Sequence, residues 1–278
     1  MNHSSSCRAL LAALSLSGAA FTSDAAVLVE DGFLAAEYAA GSKLIAGEGG
    51  GGTIGFGGPW DDTTQFGKED IVAGSLGFGS LPAAGNKVQT NPGGSFSLVS
   101  RPLGSTISGV AHPTIWLGFL LKKTASTGAD DYFEFQLIPT GGGTGLAIGD
   151  LGGTDNFSLH DTDQLSGVQE SGIASVLGDT VWLVLRVGFQ SGSDNFKLFV
   201  NPSPNGGEPN TADAVKIDFN LPNIASIGYL TSDSQTWQLD GIRMGNNFSD
   251  LVPEPATAGM LGMGACLLAM RRRGRRVV

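Results

Sequence analysis

The side chains best able to do chemistry in this chain of 278 residues are carboxylates that lie near strand-like segments. Hydrolysis of a glycosidic bond needs two carboxyl groups, about 5 to 9 Å apart, on either side of the bond. Alternate positions of a strand can supply them, because those positions share one face. Glu134 lies within such a segment, whereas Asp130 and Asp131 precede it. We therefore expect surface carboxylates here rather than the catalytic pair of a glycosidase.

Carboxylates in polar, turn-like stretches form a second candidate, a structural calcium site. Calcium binds roughly six to eight oxygen atoms, which loops supply readily. The candidate ligands form three groups: Asp61 with Asp62, Asp130 with Asp131, and Asp155 with Asp161 and Asp163. None of them has the D-x-D-x-D-G spacing of a calcium-binding loop. Calcium is the one cofactor that we expect as an option, and the sequence does not choose between the groups.

Two further patterns, the histidines and a glycine-rich stretch, do not predict an active site. His160 precedes Asp161, which could orient an imidazole, but no serine lies in the strand-to-helix turn that a nucleophile needs. His112 precedes Pro113 and is expected in a loop. The glycines between residues 47 and 52 fit G-x-G-x-x-G, but neither a strand before them nor a helix after them is predicted. We expect no enzyme from either pattern.

Aromatic side chains near strand ends are candidates for stacking on a sugar ring. Trp60, Tyr132 and Trp237 lie in such positions and are the possible glycan contacts. Trp116 and Trp182 lie in strongly apolar segments and are expected in the core. Large aromatic side chains also suit the core, so we expect burial for each of the first three, with a glycan contact as the alternative.

Composition limits the class of protein. The net charge is −10, which argues against a nucleic-acid partner, because such a partner requires a basic surface. Hydrophobic residues make up 41% of the chain, enough for a packed core. Both cysteines, Cys7 and Cys266, lie near the ends, so thiol chemistry and disulfides are not expected in the intervening domain.

The segments that must position these residues alternate between apolar and polar side chains, as strands do. The strongest predicted strands are Ile115–Leu121, Tyr132–Ile138, Val181–Phe189, Phe196–Val200 and Val215–Phe219. Weaker ones are Phe96–Ser100, Gly145–Ile148, Phe157–His160, Ala225–Thr231 and Trp237–Met244. Only Gly167–Val176 is considered as a short helix. Many short strands predict an all-β fold, a single antiparallel β-sandwich.

Alternation also predicts which side chains face the core. In the segment 196–200, Phe196, Leu198 and Val200 should point inward and Lys197 outward. In the segment 215–219, the apolar set Val215, Ile217 and Phe219 should point inward, with Lys216 and Asp218 outward.

Both ends of the chain differ from the domain between them. Residues 1–25 have a positive charge at Arg8, the apolar stretch Ala9–Phe21 and small residues at Ser23 and Ala25, which is the layout of a secretory signal peptide. Near the other end, the apolar run Ala256–Met270 spans about 22 Å as a helix. That is short for a membrane span, but the flanking side chains can extend to the membrane surface, so a short span fits. Arginines after it would then remain on the cytoplasmic side, which would place the domain outside.

The C-terminal segment 251–278 has three parts in order. It holds Pro253-Glu254-Pro255, the apolar run, and then the arginines Arg271, Arg272, Arg273, Arg275 and Arg276. This arrangement resembles the PEP-CTERM sorting signal of Gram-negative bacteria. The resemblance implies Sec export, transient anchoring in the inner membrane, and processing by an exosortase near the Pro-Glu-Pro motif. Such systems accompany the production of exopolysaccharide, so the cell surface or the extracellular matrix is the expected destination.

The intervening domain, residues 26–250, carries a second resemblance. The strand Phe133-Glu134-Phe135, the segment Asp194–Pro202 and the closing stretch Leu239–Gly245 are similar to concanavalin-like and laminin-G-like jelly rolls. We therefore expect a non-enzymatic surface or matrix protein that is associated with exopolysaccharide. The alternative is a lectin-like carbohydrate-binding module, with or without calcium, and a glycoside hydrolase is a distant third.

Overall fold

The computed structural model describes most of the domain between the two terminal segments. The described residues are 27–44, 53–62, 69–81, 83–91, 96–126, 132–151, 155–163, 167–232 and 235–253. The signal peptide, the apolar run and the arginine cluster lie outside these ranges, as do Asp130, Asp131, Glu254 and Pro255. Within the described ranges, no helix has the length and apolar character needed to span a membrane.

One antiparallel sheet, here called sheet A, holds four of the five strands that the sequence predicts most strongly. Its members are β1 (Val27–Asp31), β3 (Asp70–Ala73), β4 (Asn86–Gln89), β6 (Thr114–Ser126), β11 (Thr180–Gly188), β12 (Asn195–Val200), β13 (Ala214–Lys216) and β15 (Gln235–Gly245). Their order is β13-β12-β11-β6-β15-β4-β3, and β1 pairs with the final part of β15. β15 is thus bonded along both of its edges.

The second antiparallel sheet, sheet B, packs against sheet A. Its members are β2 (Asp61–Asp62), β5 (Ser97–Ile107), β7 (Phe133–Pro139), β8 (Leu146–Asp150), β9 (Asn156–Asp161), β10 (Gln169–Ala174) and β14 (Ile224–Thr231). Their order is β10-β9-β8-β7-β14-β5-β2. The two sheets form a β-sandwich, which confirms the predicted fold class.

The core lies between the sheets, where alternate residues of facing strands meet. Leu183, Leu185 and Val187 of β11 are buried in it, and Phe119 of β6 stacks on Phe135 of β7 with ring centres 4.5 Å apart. Burial of such side chains contributes about 1.5 to 3 kcal/mol each. The period-two pattern therefore predicts these strands well, because one phase of each segment is strongly apolar.

The predicted facing of the segment 215–219 is wrong for Val215, Lys216 and Ile217, whereas Phe219 packs against the core and stacks on Phe196 as predicted. Val215 is 43% exposed and Ile217 is 62% exposed, whereas Lys216 is buried. The ammonium group of Lys216 lies 3.0 Å from an oxygen of Asp218 and 4.0 Å from one of Asp161, and it donates to the carbonyl of Gly167. The buried Asp161 carboxylate, the exposed Asp218 carboxylate and the Gly167 carbonyl thus hold the lysine inward. In contrast, the facing of Phe196, Lys197 and Leu198 is as predicted.

The short helix considered at Gly167–Val176 is not formed. Its residues form strand β10, which pairs with β9 through Gln169 and Glu170 and shifts register before Ala174. Hydrogen bonding to a neighbouring strand decides the structure here, since neither helical nor strand periodicity is strong in this segment.

The outer face of sheet A is covered by its own small apolar cluster. A 3₁₀ helix, Phe248–Leu251, follows β15 and lays Phe248 against Trp116 and Trp182, with ring centres 5.4 and 5.7 Å apart. Asp250 accepts hydrogen bonds from the backbone N–H groups of Asn246 and Asn247, and it thereby fixes the turn into the helix. Trp116 and Trp182 are therefore packed, and the packing continues through Leu251 and Val252, just past residue 250.

A buried ion pair anchors the N-terminal part of the domain. Arg101 on β5 donates to Asp31 at 2.6 Å, and Tyr38 and Trp60 donate to the same carboxylate at 2.6 and 3.1 Å. The guanidinium also lies over the ring of Phe56, 4.0 Å from its centre. Segments that are distant in sequence are thus joined through one carboxylate.

Candidate functional site

The outer face of sheet B carries polar side chains. On most sandwiches such side chains would be exposed to solvent, but here they are buried. On β7, Phe133, Phe135 and Leu137 point into the core, so Glu134 and Gln136 point outward. On β9, Phe157 and Leu159 are the core residues, so Ser158 and His160 point outward. The outward-facing polar side chains Glu134, Gln136, Ser158 and His160 are each no more than 9% exposed. This face is therefore recessed from solvent.

Strand register brings these side chains together. β8 lies between β7 and β9, with Gly149 paired to both Glu134 and Ser158, and Ala147 paired to both Gln136 and His160. Because the residues on β8 have small or absent side chains, the longer ones can meet across it. A His160 ring nitrogen, Nε2, lies 3.5 Å from Glu134 Oε1, and Gln136 donates to Glu134 Oε2 at 3.0 Å.

His160 is chemically the most unusual member of this group, which we call the sheet B cluster. Its imidazole is 2% exposed, and apart from the 3.5 Å contact of Nε2 with Glu134, neither ring nitrogen forms a hydrogen bond with a residue that the structure describes. Buried polar atoms are nearly always hydrogen-bonded in folded proteins, since leaving one unpaired costs about 1 to 3 kcal/mol. A ring that keeps two unpaired nitrogens beside a carboxylate is thus prepared to bond to something else.

Carboxylates suited to glycoside hydrolysis are not paired on this face in the described part of the chain. Glu170 on β10 aligns with Glu134 but lies three strands away, and Asp61 on β2 is three strands away on the other side. Strands are about 4.8 Å apart, so each separation is about 14 Å. The mechanism needs about 5 to 9.5 Å.

The aromatic residues that the sequence suggested as glycan contacts divide into two groups. Trp60 and Trp237 are 0% and 1% exposed, so both are buried, as the favoured expectation has it, and neither offers a ring face to a sugar. Trp60 packs between Phe33 and Tyr229, and Trp237 lies against Phe133 and Lys123. Tyr132 is half-buried at the start of β7 and stays a candidate.

The aspartates suggested as calcium ligands are not brought together. Asp155 and Asp161 lie at opposite ends of β9, about 20 Å apart at 3.3 Å per residue. Asp161 lies beside the Lys216 ammonium, and Asp163 accepts from the Thr144 hydroxyl. Asp61 and Asp62 are adjacent on β2, so their side chains point to opposite faces, and only Asp61 is exposed.

The described aspartates, Asp61, Asp62, Asp155, Asp161 and Asp163, therefore do not form a calcium site, and Asp130 and Asp131 lie outside the described residues. Among the residues that the structure describes, no three histidine, cysteine, aspartate or glutamate side chains are grouped to hold a metal. The sequence also missed Gln136 and Ser158 as members of the sheet B cluster. The signal that could have found them is the spacing of two in Glu134-x-Gln136 and Ser158-x-His160, which places each pair on one strand face.

Similarity to known proteins is found in the structure and not in the sequence. No family model matches the sequence, and no curated protein does. Domain 4 of AbnA, a GH43 extracellular arabinanase from Geobacillus stearothermophilus solved in complex with arabinotriose, is similar with a TM-score of 0.51 and 13% identity. The match covers 82% of this chain and 99% of that domain.

Two weaker similarities are to the Ca²⁺-bound exoplasmic/lumenal domain of VIP36 and to a sialidase. The VIP36 match has a TM-score of 0.41 and 12% identity, and covers 73% of this chain and 89% of that one. The sialidase match has a TM-score of 0.41 and 10% identity, and covers 66% of this chain but 17% of the sialidase. At such identities the likeness concerns the fold: the chain is an antiparallel β-sandwich of the jelly-roll type.

Proposed function

We propose that this chain is a non-catalytic glycan-binding module whose binding face is the outer surface of sheet B. The observation that carries the proposal is the buried His160 ring with two unpaired nitrogens beside Glu134 and Gln136. Support also comes from the arabinanase domain, which was solved with arabinotriose and has a similar fold.

The chemistry of the cluster suits sugar hydroxyl groups. A hydroxyl group donates one hydrogen bond and accepts others, so it pairs with a carboxylate, an amide or an imidazole nitrogen. Glu134 accepts, Gln136 can donate or accept, and His160 does both through its two nitrogens. Ala147 and Gly149 lie between them on β8, and their small or absent side chains let the polar groups on β7 and β9 meet across it.

Catalysis is not part of this proposal. A glycosidase would need a second carboxylate near Glu134, and the described acidic residues on this face are about 14 Å away. A catalytic carboxylate pair would give hydrolysis products with the same glycans, so assays for released reducing sugar provide a direct test. We also propose that binding does not need calcium, because the aspartates suggested as ligands lie apart.

Isothermal titration of arabinotriose, cellopentaose and mannotriose against the purified chain tests the proposed binding. Exchanging Glu134→Ala and His160→Ala should each weaken binding at least tenfold, since each removes a hydrogen-bonding partner. The control is His112→Ala, which removes a histidine that bonds to Asn246 away from this face. Equal affinities for wild type and the Glu134→Ala and His160→Ala variants would contradict the proposed site, and no binding of any neutral glycan would contradict the function.

We further propose that the module is exported and sorted to the cell surface or matrix, where exopolysaccharide is its partner. The signal-like residues 1–25 and the Pro-Glu-Pro, apolar and arginine order of residues 253–276 support this. Replacing Pro253, Glu254 and Pro255 with alanine should leave the protein in the membrane fraction of its host. Unchanged processing of that variant would contradict the sorting proposal.

A further inference from the structure

One end of the sandwich carries an open cleft that is separate from the sheet B cluster. The loops that follow β5, β11 and β13 enclose it, and its volume is about 460 Å³. Sites for small molecules commonly have volumes of about 300 to 1,000 Å³. The cleft is therefore large enough for one or two sugar rings.

A buried carboxylate holds two walls of the cleft together. Asp194, 1% exposed, accepts from the backbone N–H of Gln190 at 2.8 Å and from that of Leu221 at 2.8 Å. Each oxygen thus fixes one loop. Because the walls are fixed before a ligand arrives, binding there does not require the loops to be ordered at that moment.

The floor of the cleft combines a ring with a close backbone approach. Phe189 is half-buried and packs against Gly109. A Cβ atom at position 109 would lie 2.6 Å from Phe189 Cβ, so only glycine allows this contact. The phenyl ring and the exposed Val110 give the cleft an apolar part next to its polar rim.

The polar rim is uncharged. Gln190, Ser191, Asn220 and Asn223 are exposed along it, and among the described residues that line the cleft, Asp194 is the one ionisable group. Both oxygens of Asp194 are already bonded to the loops, so its charge is turned away from a ligand. In a chain of net charge −10, this neutral surface favours neither a cation nor an anion.

We propose that this cleft is a second binding site, and that its ligand is an uncharged, hydroxyl-rich glycan. Amide and hydroxyl groups on the rim would bond to sugar hydroxyls, and Phe189 would pack against the apolar face of a sugar ring. The inference rests on the proposed function for the choice of ligand, but it concerns different residues. With two sites, one molecule would bridge two polysaccharide chains.

The test compares stoichiometry and affinity in three forms of the full chain. Titrations with mannotriose, cellopentaose and arabinotriose are run on wild type, on the Gln190→Ala/Asn220→Ala double variant and on Glu134→Ala/His160→Ala. Gln190 and Asn220 are exposed, so their loss should not affect folding. Asn210→Ala, an exposed asparagine in the loop before β13, is the matched control. Alginate serves as the anionic probe.

Two bound neutral glycans in wild type, falling to one when the cleft residues are removed, would support the inference. One bound glycan that only the Glu134→Ala/His160→Ala variant loses would overturn the inference and leave the proposed function standing. One bound glycan that only the cleft variant loses would keep the cleft and overturn the sheet B site. No neutral glycan bound by wild type would overturn both, and salt-sensitive binding of alginate at the cleft would overturn the ligand class.

Discussion

Buried charges at single positions decide how distant parts of this sandwich are joined. Asp31 and Arg101 are the clearest pair, with side chains 0% and 1% exposed. Burying such a pair costs desolvation on both sides, and the pair recovers this only when its geometry and additional hydrogen bonds are good. Here Tyr38 and Trp60 supply the additional bonds to Asp31.

Removing the cation from this pair should be far more harmful than removing one at the surface. Arg101→Met leaves the Asp31 carboxylate buried without its cation, and we expect the free energy of unfolding to fall by about 3 to 5 kcal/mol. The control is Lys43→Met, which breaks an exposed pair with Asp70 and should cost less than about 1 kcal/mol. Urea unfolding measures the loss of stability in both variants. Equal losses would show that the burial of the Arg101–Asp31 pair does not raise its contribution to stability.

A second residue-scale prediction concerns pH. Burial raises the pKa of Asp240 from 3.8 to about 6, against the hydrogen bonds from Ser75, Leu76 and Gly241 that lower it. The folded state therefore holds this proton more tightly than the unfolded chain does. Its contribution to stability is complete below about pH 4 and is lost as the pH rises through about 6.

We expect this group alone to lower the free energy of unfolding by up to about 3 kcal/mol between pH 4 and pH 7. Urea unfolding at several pH values should show a smaller decline for Asp240→Asn than for wild type. Asp179→Asn, at an exposed position, should retain the whole decline. The same decline in Asp240→Asn as in wild type would contradict the assignment. Burial also raises the pKa of Asp31, Glu69 and Asp150, so part of the pH dependence will remain.

At the scale of elements, alternation predicts the existence of strands better than their facing. In β11 one phase is entirely apolar, so the core side is unambiguous. In the segment 215–219 the apolar phase is also continuous, yet Lys216 is the buried residue. Its partners Asp161 and Gly167 are more than forty residues away in the sequence. Nothing local could have shown that they meet it.

The inverted facing of β13 yields a matched pair of substitutions. Lys216→Ala removes the ammonium group beside the buried Asp161, so we expect a loss of about 3 to 5 kcal/mol in unfolding free energy. Ile217→Ser changes a residue that is 62% exposed, and we expect a change within about 0.5 kcal/mol. Thermal unfolding of both variants tests which of residues 216 and 217 faces the core. A larger loss for Ile217→Ser than for Lys216→Ala would restore the facing that simple alternation predicts.

At the scale of the whole molecule, the number of predicted strands is enough to predict the fold class. The candidate residues picked out in the sequence are not enough to predict the site. Glu134 and His160 both stand out in the sequence, but neither position predicts that the two side chains meet. Their meeting depends on the register of β7, β8 and β9, in which Ala147 and Gly149 allow the contact. Trp60 and Trp237 show the opposite case, in which two residues that a strand-end position made candidates for ligand contact lie in the core. A position near a strand end does not show what packs over the side chain.

The C-terminal limit of the folded unit is a testable property of the whole molecule. Phe248 and Leu251 complete the apolar cluster on the outer face of sheet A. A chain that stops after Pro253 should therefore unfold at the same temperature as the full chain. A chain that stops after Gly245 should unfold at least about 10 °C lower, because Trp116 and Trp182 lose their cover. Equal unfolding temperatures for the two truncations would show that the 3₁₀ helix adds no stability.

The position of β15 determines how the domain would respond to mechanical load. β15 and its 3₁₀ helix are the last described elements before the C-terminal segment, and β15 is bonded to β6 on one edge and to β4 and β1 on the other. Tension applied through that segment along the axis of β15 would shear hydrogen bonds on both edges together rather than peel them apart singly. A domain tethered at this point would keep the proposed sheet B face and the cleft intact under drag that would unravel a domain tethered through an edge strand.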